Sequence, residues 1–335
     1  MSNIKARVIE HVNDNPLFAN PKRAAQASET LPVTVDNFRR AESDHYFAVR
    51  AEMCGGIGKL LHNRTPTDFD LQSVIRFNRV TLYSYAVFDL TTPVTLTMPD
   101  AGDRFLSLVC INQDHYIKFS GYDPGEYTFT ADQIGTRYLH VAFRTFVNPD
   151  DAADVQTAHA LQDRIAISQE GPGVLELPKW DQVSLDDCRA AILQMAPFVP
   201  DSADMFGDVD EVDDVRHLIG TAGGWGGNRE QDAVYLNVMP VRNDGEVAHT
   251  LTVKDVPVDG FWSISVYNGD GYFEKNEYES YSLNNVTAKP EADGGYTIHF
   301  GGDPSAINFL YVMPGWNYTV RMYRPRQEIL NGSWQ

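Results

Sequence analysis

The stretch Thr81-Leu82-Tyr83-Ser84-Tyr85-Ala86-Val87-Phe88-Asp89, followed by Val94-Thr95-Leu96-Thr97-Met98, decides the fold. Both segments alternate with a period of two, and Pro99-Asp100-Ala101-Gly102 turns the chain before Arg104 to Ile111 resumes the alternation. Successive side chains of an extended strand point to opposite faces, so the pattern predicts antiparallel strands with a face directed into a core. Ile117 to Phe119, Gly125 to Phe129 and Arg137 to Phe146 extend the series, separated by turn formers such as Tyr122-Asp123-Pro124-Gly125. No helical period intervenes, which points to a sandwich or jelly roll rather than a doubly wound sheet.

On the N-terminal side, Asp36 as N-cap, Phe38, Ala41, His45, Ala48 and Val49 at helical spacing, and Gly55-Gly56 as a stop predict an amphipathic helix over 37–54. Residues 1–31 carry few apolar side chains and no period, and read as an arm lying on the body or on a partner subunit. On the C-terminal side the period switches over 150–168, with Ala152, Val155, Ala158, Gln162 and Ile165 on one helical face. Ser184 with Asp187 then opens a further helix that runs to Ala196-Pro197. Strand signals return in Tyr235–Val238, His249–Val253, Trp262–Tyr267, Tyr296–Phe300 and Tyr318–Tyr323. The expected chain is therefore mainly β. It has an arm (1–31), a first antiparallel β-sandwich (32–170), a helical and acidic connector (171–220) and a second jelly-roll-like sandwich (221–335).

Composition bounds the function. The chain has 335 residues, 46 of them acidic and 27 basic, for a formal charge of -19. That charge repels phosphate backbones and anionic lipid, so neither nucleic-acid nor membrane partners are expected. The opening MSNIKARVIEHVNDNP holds no apolar run of signal-sequence length, and no run of about 18 apolar residues occurs anywhere, so a cytoplasmic location is expected. Three scattered cysteines, Cys54, Cys110 and Cys188, fit reduced thiols rather than a disulfide framework.

Several segments are candidates for chemistry. Arg76-Phe77-Asn78-Arg79 places polar and cationic groups at the mouth of a strand whose tyrosines, Tyr83 and Tyr85, share a face; they either meet a polar ligand or bond turn carbonyls. Asn112-Gln113-Asp114-His115-Tyr116 is rich in titratable groups, yet neighbouring side chains of a strand diverge, so Asp114 and His115 serve one site only if the chain turns there. Thr221-Ala222-Gly223-Gly224-Trp225-Gly226-Gly227-Asn228 lacks the Lys-Ser/Thr ending of a phosphate loop. It reads as a tightly bending backbone whose Trp225 stacks on a ligand or on the other domain. The acidic run Asp201 to Asp214 lacks the spacing of a calcium loop and reads as a solvated connector. Metal, nucleotide and haem motifs and a Gly-x-Ser-x-Gly elbow are absent from the sequence, which leaves metal and cofactor unassigned.

Pro32-Val33-Thr34-Val35-Asp36-Asn37-Phe38, Asn78-Arg79 before Thr81-Leu82-Tyr83-Ser84, and Arg137-Tyr138 after Gly135 resemble the family called domain of unknown function 1254. Gly220-Thr221-Ala222-Gly223-Gly224-Trp225-Gly226, Gly260-Phe261-Trp262-Ser263, Gly271-Tyr272-Phe273, Arg321-Met322-Tyr323-Arg324-Pro325 and Gly332-Ser333-Trp334 resemble its partner, domain of unknown function 1214. The resemblance implies two stacked β-sandwiches and no established activity. Members often begin with an export signal, and their motif reads Asn-Arg-Asp-Thr-Leu-Tyr-Ser where this chain has Val80.

Together these readings favour a protein that holds a small polar, carbohydrate-like ligand or glycan between the two sandwiches, through Asn78, Arg79, Tyr83, Trp225, Asn228 and Tyr235. An alternative is a hydrolase or lyase using Asp114, His115 and Arg79, with or without a divalent ion. A third is a structural homo-oligomer joined through the arm and edge strands.

Overall fold

The computed structural model describes residues 30–66, 69–70, 72 and 76–334. The arm expected over 1–31 lies, up to residue 29, outside the described residues.

The protein is mainly β, with two sandwiches and a set of helices between and beside them. The first sandwich joins a five-stranded sheet, ordered β1 (Leu61–His62), β2 (Thr81–Asp89), β7 (Tyr138–Phe146), β4 (Leu106–Asn112), β5 (Ile117–Gly121), to a three-stranded sheet, β6 (Gly125–Phe129), β3 (Val94–Met98), β8 (Ala166–Gln169). Every pair in it is antiparallel. Phe88, Leu96, Met98, Leu108, Leu139 and Phe143 fill the space between the sheets. The second sandwich joins β12 (Ser282–Asn284), β11 (Trp262–Tyr267), β15 (Asn317–Tyr323) and β9 (Ala233–Val238) to β10 (His249–Val253), β13 (Tyr296–Phe300) and β14 (Phe309–Leu310). Its core holds Ile264, Ile298, Phe300, Trp316 and Met322. Here the parallel pair β13–β14 departs from the expected antiparallel pattern.

The alternation in β2, β4 and β7 does not mark one wet face, because all three strands are buried almost throughout. One face meets the small sheet; the other meets helix α1 (Phe38–Met53) and the second sandwich. Helix α1 starts from Asn37 rather than Asp36, the Asn37 Oδ1 accepting the Thr34 N–H at 2.8 Å. It ends in a Schellman turn, Gly56 N–H to Ala51 O and Gly55 N–H to Glu52 O, with Gly55 at φ 72°. Its buried face comprises Phe38, Ala41, Glu42, Ser43, Asp44, Phe47 and Ala51, so the predicted face with His45, Ala48 and Val49 is rotated. The rotation is possible because Glu42 and Asp44 find partners inside.

Two short helices follow, α2 (Ala131–Ile134) and α3 (Ala152–Gln162). The predicted 150–168 helix thus stops at Gln162, and Ala166–Gln169 returns as the edge strand β8 of the small sheet. Helix α4 (Gln182–Leu193) is capped by Asp181, which accepts the Ser184 N–H, not by Ser184 itself. Helix α5 (Asp214–Gly224), capped by Asp213, absorbs the Thr221-Ala222-Gly223-Gly224 segment that reads as a loop in sequence. In the acidic run before it, Asp208 meets Lys118 and Asp201 meets Arg216, each at 2.7 Å. A final short helix, α6 (Gln327–Leu330), follows β15. No helix of the described residues is long and apolar enough to cross a membrane.

Candidate functional site

The chain turns at Asn112–Tyr116, as a shared Asp114/His115 site requires. Asn112 Oδ1 accepts the N–H groups of Asp114 (2.9 Å) and Tyr116 (3.0 Å), and His115 takes φ 67°. The turn nevertheless sends the two side chains apart. Asp114 is held by Arg40 through Nε and Nη2 at 2.8 and 2.7 Å. His115 goes inward. The Gly226 N–H donates to its Nε2 at 2.9 Å, which leaves the proton on Nδ1 to reach Thr221 Oγ1 at 2.8 Å, and that hydroxyl donates on to the His217 carbonyl. Burial, then the neighbouring His217, His140 and Arg39, hold the His115 pKa well below the usual histidine value. Arg79 lies elsewhere, its guanidinium 4.0 Å from the ring centre of Phe69, and 5.9 and 5.6 Å from those of Phe273 and Tyr281. The structure therefore does not assemble Asp114, His115 and Arg79 into one centre.

Trp225 is likewise occupied. Tyr46 and His115 both stack on its ring, at 4.6 and 5.3 Å, while its indole N–H donates to Ser43 Oγ. Trp225 is thus engaged in packing, the second of the two roles expected for it.

Of the other five proposed binding residues, Arg79 lies on the Phe69, Phe273 and Tyr281 rings, whereas Asn78, Tyr83, Asn228 and Tyr235 lie where the two domains meet. Strand register sets the first wall: β2 pairs Tyr83 with Arg144 and Tyr85 with Ala142, so Thr81, Tyr83, Tyr85, His140 and Arg144 share the outer face of the five-stranded sheet. The second wall is the outer face of β11, β15 and β9. There Tyr267 pairs with Asn317, Ser265 with Thr319, and Arg321 with both Ser263 and Tyr235. The seven residues Ser263, Ser265, Tyr267, Asn317, Thr319, Arg321 and Tyr323 are each at most 3% exposed. The opposite face of the same strands carries Trp262, Ile264, Val266 and Met322 into the sandwich core. One sheet thus buries an apolar face and a polar one, and a buried polar face has to find its hydrogen bonds in the other domain.

Residues 76–79 supply many of them. Arg321 Nη2 donates to Arg76 O (2.6 Å) and Tyr267 Oη (2.8 Å), the Tyr267 hydroxyl donates to Phe77 O (2.8 Å), and Asn78 Nδ2 donates to Tyr323 Oη (2.8 Å). Asn228 Nδ2 donates to Tyr235 Oη at 2.5 Å. Arg144 is 6% exposed; its Nη2 donates to Gly226 O at 2.9 Å, its carbon lies 5.6 Å from the Tyr83 ring centre, and its Nη1 has no partner. Thr81 Oγ1, Ser263 Oγ and both ring nitrogens of His140 are also buried without partners. Burial works against the Arg144 charge, but the surrounding phenols of Tyr83, Tyr235, Tyr323 and Tyr85 raise its pKa, so it stays a guanidinium. Burial raises the pKa of Tyr235 and of Tyr323, and both phenols feel Arg144 and Arg321 together.

Asn78, Tyr83, Asn228 and Tyr235 are among the residues singled out in the sequence; Arg144, Arg321 and Tyr323, which lie at the same junction, are not. The available signal was local: Arg144 shares a strand face with His140, and Arg321 and Tyr323 are two apart on one strand. Among the described residues no group of three or more His, Cys, Asp or Glu side chains is arranged to hold a metal ion.

Residues 57–169 match the family Protein of unknown function (DUF1254), and residues 240–327 match Protein of unknown function (DUF1214). The chain is a DUF1254–DUF1214 protein. Tyr83 and Arg144 lie in the first match, Tyr267, Arg321 and Tyr323 in the second, and Trp225, Asn228 and Tyr235 in the stretch joining them. No curated protein matches the chain. Among solved structures, the VPA0106 protein from Vibrio parahaemolyticus is similar, with TM-score 0.68 at 17% identity over 90% of this chain and 96% of that one. An uncharacterized protein from Burkholderia cenocepacia gives TM-score 0.49 at 12% identity over 90% and 89%. The Vibrio likeness shows a shared fold at low identity.

Proposed function

We propose that the protein binds a small polar ligand in the cleft between its two domains, with Asn78, Tyr83, Arg144, Asn228 and Tyr235 around it. The observation that carries this reading is the buried polar face of β11 and β15, set against a second polar face on β2 and β7. A purely structural contact between domains is cheapest when apolar, because each buried polar atom left unpaired costs about 1–3 kcal/mol. Here hydroxyl, imidazole and guanidinium atoms stay unpaired, while Tyr83 and Tyr235 keep part of their surface in solvent, which gives a route from outside. Asp114 and His115 lend no support to hydrolase or lyase chemistry, since the carboxylate and both ring nitrogens are engaged.

The test is a calorimetric and thermal-unfolding screen of the full chain against neutral sugars, polyols, amines and salts of small acids. A hit should bind the Tyr83→Phe/Tyr235→Phe double variant at least about tenfold more weakly, as expected for loss of hydroxyl contacts in a buried site. Undiminished affinity in that variant would place the ligand elsewhere and overturn the reading.

A further inference from the structure

We infer that the cleft selects an anion: a small molecule whose carboxylate or phosphate oxygens accept from Arg144 Nη1 and from the hydroxyls of Tyr235 and Tyr323. This rests on the cleft reading above and adds the sign of the ligand's charge.

Two lines of observation lead there. The first is charge balance. Arg144 and Arg321 are 6% and 3% exposed, and among the described residues neither makes an ion pair; Arg321 meets only the neutral oxygens of Arg76, Ser265 and Tyr267. The other buried acids are committed: Glu42 to Arg189, Asp89 to Arg137, Asp44 to Gln113 and Trp180. Asp232, also buried, accepts the Tyr122 hydroxyl at 2.6 Å through Oδ1, its Oδ2 lacks a partner, and it pairs with neither arginine. A chain with 46 acidic residues and 27 basic ones nonetheless leaves two guanidiniums unpaired at one domain junction. Such charges are costly to bury unless something of opposite sign joins them.

The second line is donor polarity. Asn78 and Asn228 both present amide N–H groups to phenol oxygens, Asn78 to Tyr323 and Asn228 to Tyr235. Each phenol oxygen therefore already accepts, and its own O–H is left to donate. With Arg144 Nη1 also lacking an acceptor, three donors point into the cleft, beside the hydroxyls of Thr81 and Ser263 and the His140 ring, which can donate or accept. A ligand that fits must bring lone pairs and negative charge, and charge-assisted bonds to Arg are the strong ones. A neutral sugar, with as many donors as acceptors, fits this set less well.

The test uses the full chain with sodium acetate, succinate, citrate and phosphate, against glucose and against sodium chloride at equal ionic strength. At least one oxyanion should bind saturably and raise the unfolding temperature above the chloride control. Arg144→Met should weaken that binding about tenfold or more, with Arg144→Lys keeping part of it. The ligand-free Arg144→Met protein should unfold at the same temperature as wild type or higher, because it no longer buries an unpaired charge. Glucose binding with no oxyanion binding would overturn the inference and leave the cleft reading standing. An oxyanion indifferent to Arg144→Met and to the double tyrosine variant binds outside the cleft and counts against both. If none of the four oxyanions binds and Arg144→Met lowers the unfolding temperature, Arg144 is a packing residue and the inference fails.

Discussion

The imidazole of His115 lies against the indole of Trp225, ring centres 5.3 Å apart and planes 20° from parallel. This contact is one step of a five-ring column, Tyr116, His217, His115, Trp225 and Tyr46, with successive spacings of 4.9, 5.2, 5.3 and 4.6 Å. The column ties the Asn112–Tyr116 turn, the end of α5 and helix α1 into one aromatic body. It explains why His115 takes a positive φ that costs a non-glycine residue about a kcal/mol or more.

Trp225 should accordingly matter for stability and not for ligand contact. Trp225→Ala empties the middle of the column and leaves Ser43 without its donor, which should cost about 3 kcal/mol, as truncation of a packed aromatic does. Urea unfolding measures this; Trp225→Phe should recover most of it. Little loss of stability in the alanine variant would mean that the column is not holding these elements together.

Acid should destabilise the protein through its buried histidines. Burial, and then Arg50 and Arg144, hold His140 well below its ordinary pKa, and His115 is held down in the same way. An unfolded histidine takes its proton near pH 6.5, while the folded ones resist until lower pH, so below about 6.5 the unfolded state binds more protons. Stability is complete above that value and falls as pH drops, by about 1.4 kcal/mol per pH unit for each such histidine. Asp89 and Asp154, whose pKa values Arg137 and Arg104 help to lower, lose their contributions only as pH falls through the carboxylate range near 4. Asp44, raised by burial, acts with the opposite sign just above that range. The decline between about 6.5 and 5 is thus a histidine signal, and His140→Phe, which replaces a ring with no hydrogen bond, should flatten it by about one proton. An unchanged slope in that variant would show that His140 does not titrate as argued.

Two arginine–carboxylate pairs look alike on paper and should differ in energy. Arg189 grips Glu42 with Nε at 2.7 Å and Nη2 at 2.5 Å, and the Glu42 side chain is 1% exposed. Arg40 grips Asp114 as closely, but both side chains are more than a third exposed. Arg189→Ala should cost about 3–5 kcal/mol by stranding a buried carboxylate, and Arg40→Ala about 0–1 kcal/mol. Equal costs by denaturant titration would refute the assignment by burial.

What sequence could and could not reveal follows from the range of the interactions. β3, β6, β10, β11 and β13 have the predicted bounds because alternation and flanking turns are local. The buried face of α1 was not legible, since acidic residues such as Glu42 and Asp44 are ordinarily exposed and their partners, Arg189, Gln113 and Trp180, lie 69 to 147 positions away. The glycines of α5 suggested a loop because glycine is a poor helix former. In the folded chain a Cβ at Gly220 would stand 3.0 Å from Met205 Cβ and one at Gly224 3.2 Å from Phe206 Cζ, so the helix uses glycine for close approach. Tyr83 and Asn78 were found by their chemistry, whereas Arg144 and Arg321 acquire meaning only when two sheets from different domains face each other.

Val80 permits the sharpest test of the junction, standing where the motif that this segment resembles has aspartate. The residue is 1% exposed and packs in a cluster with Phe146, Ala233, Phe261 and Tyr323, at the seam where β2 meets the second domain. Its N–H donates to Asn78 Oδ1 at 3.0 Å, which orients the amide that reaches Tyr323. Val80→Asp introduces a carboxylate into this apolar cluster. Without a partner it should cost about 3 kcal/mol or more, or be driven to its protonated form, whereas Val80→Ala should cost about 1–2 kcal/mol from lost methyl groups. The two variants can be compared by denaturant unfolding at pH 7 and pH 5, where the aspartate variant should regain part of its deficit relative to wild type as the carboxyl takes a proton. If Val80→Asp is instead as stable as wild type at pH 7, a guanidinium of the cleft has reached the new carboxylate, and that variant should then no longer respond to an added oxyanion.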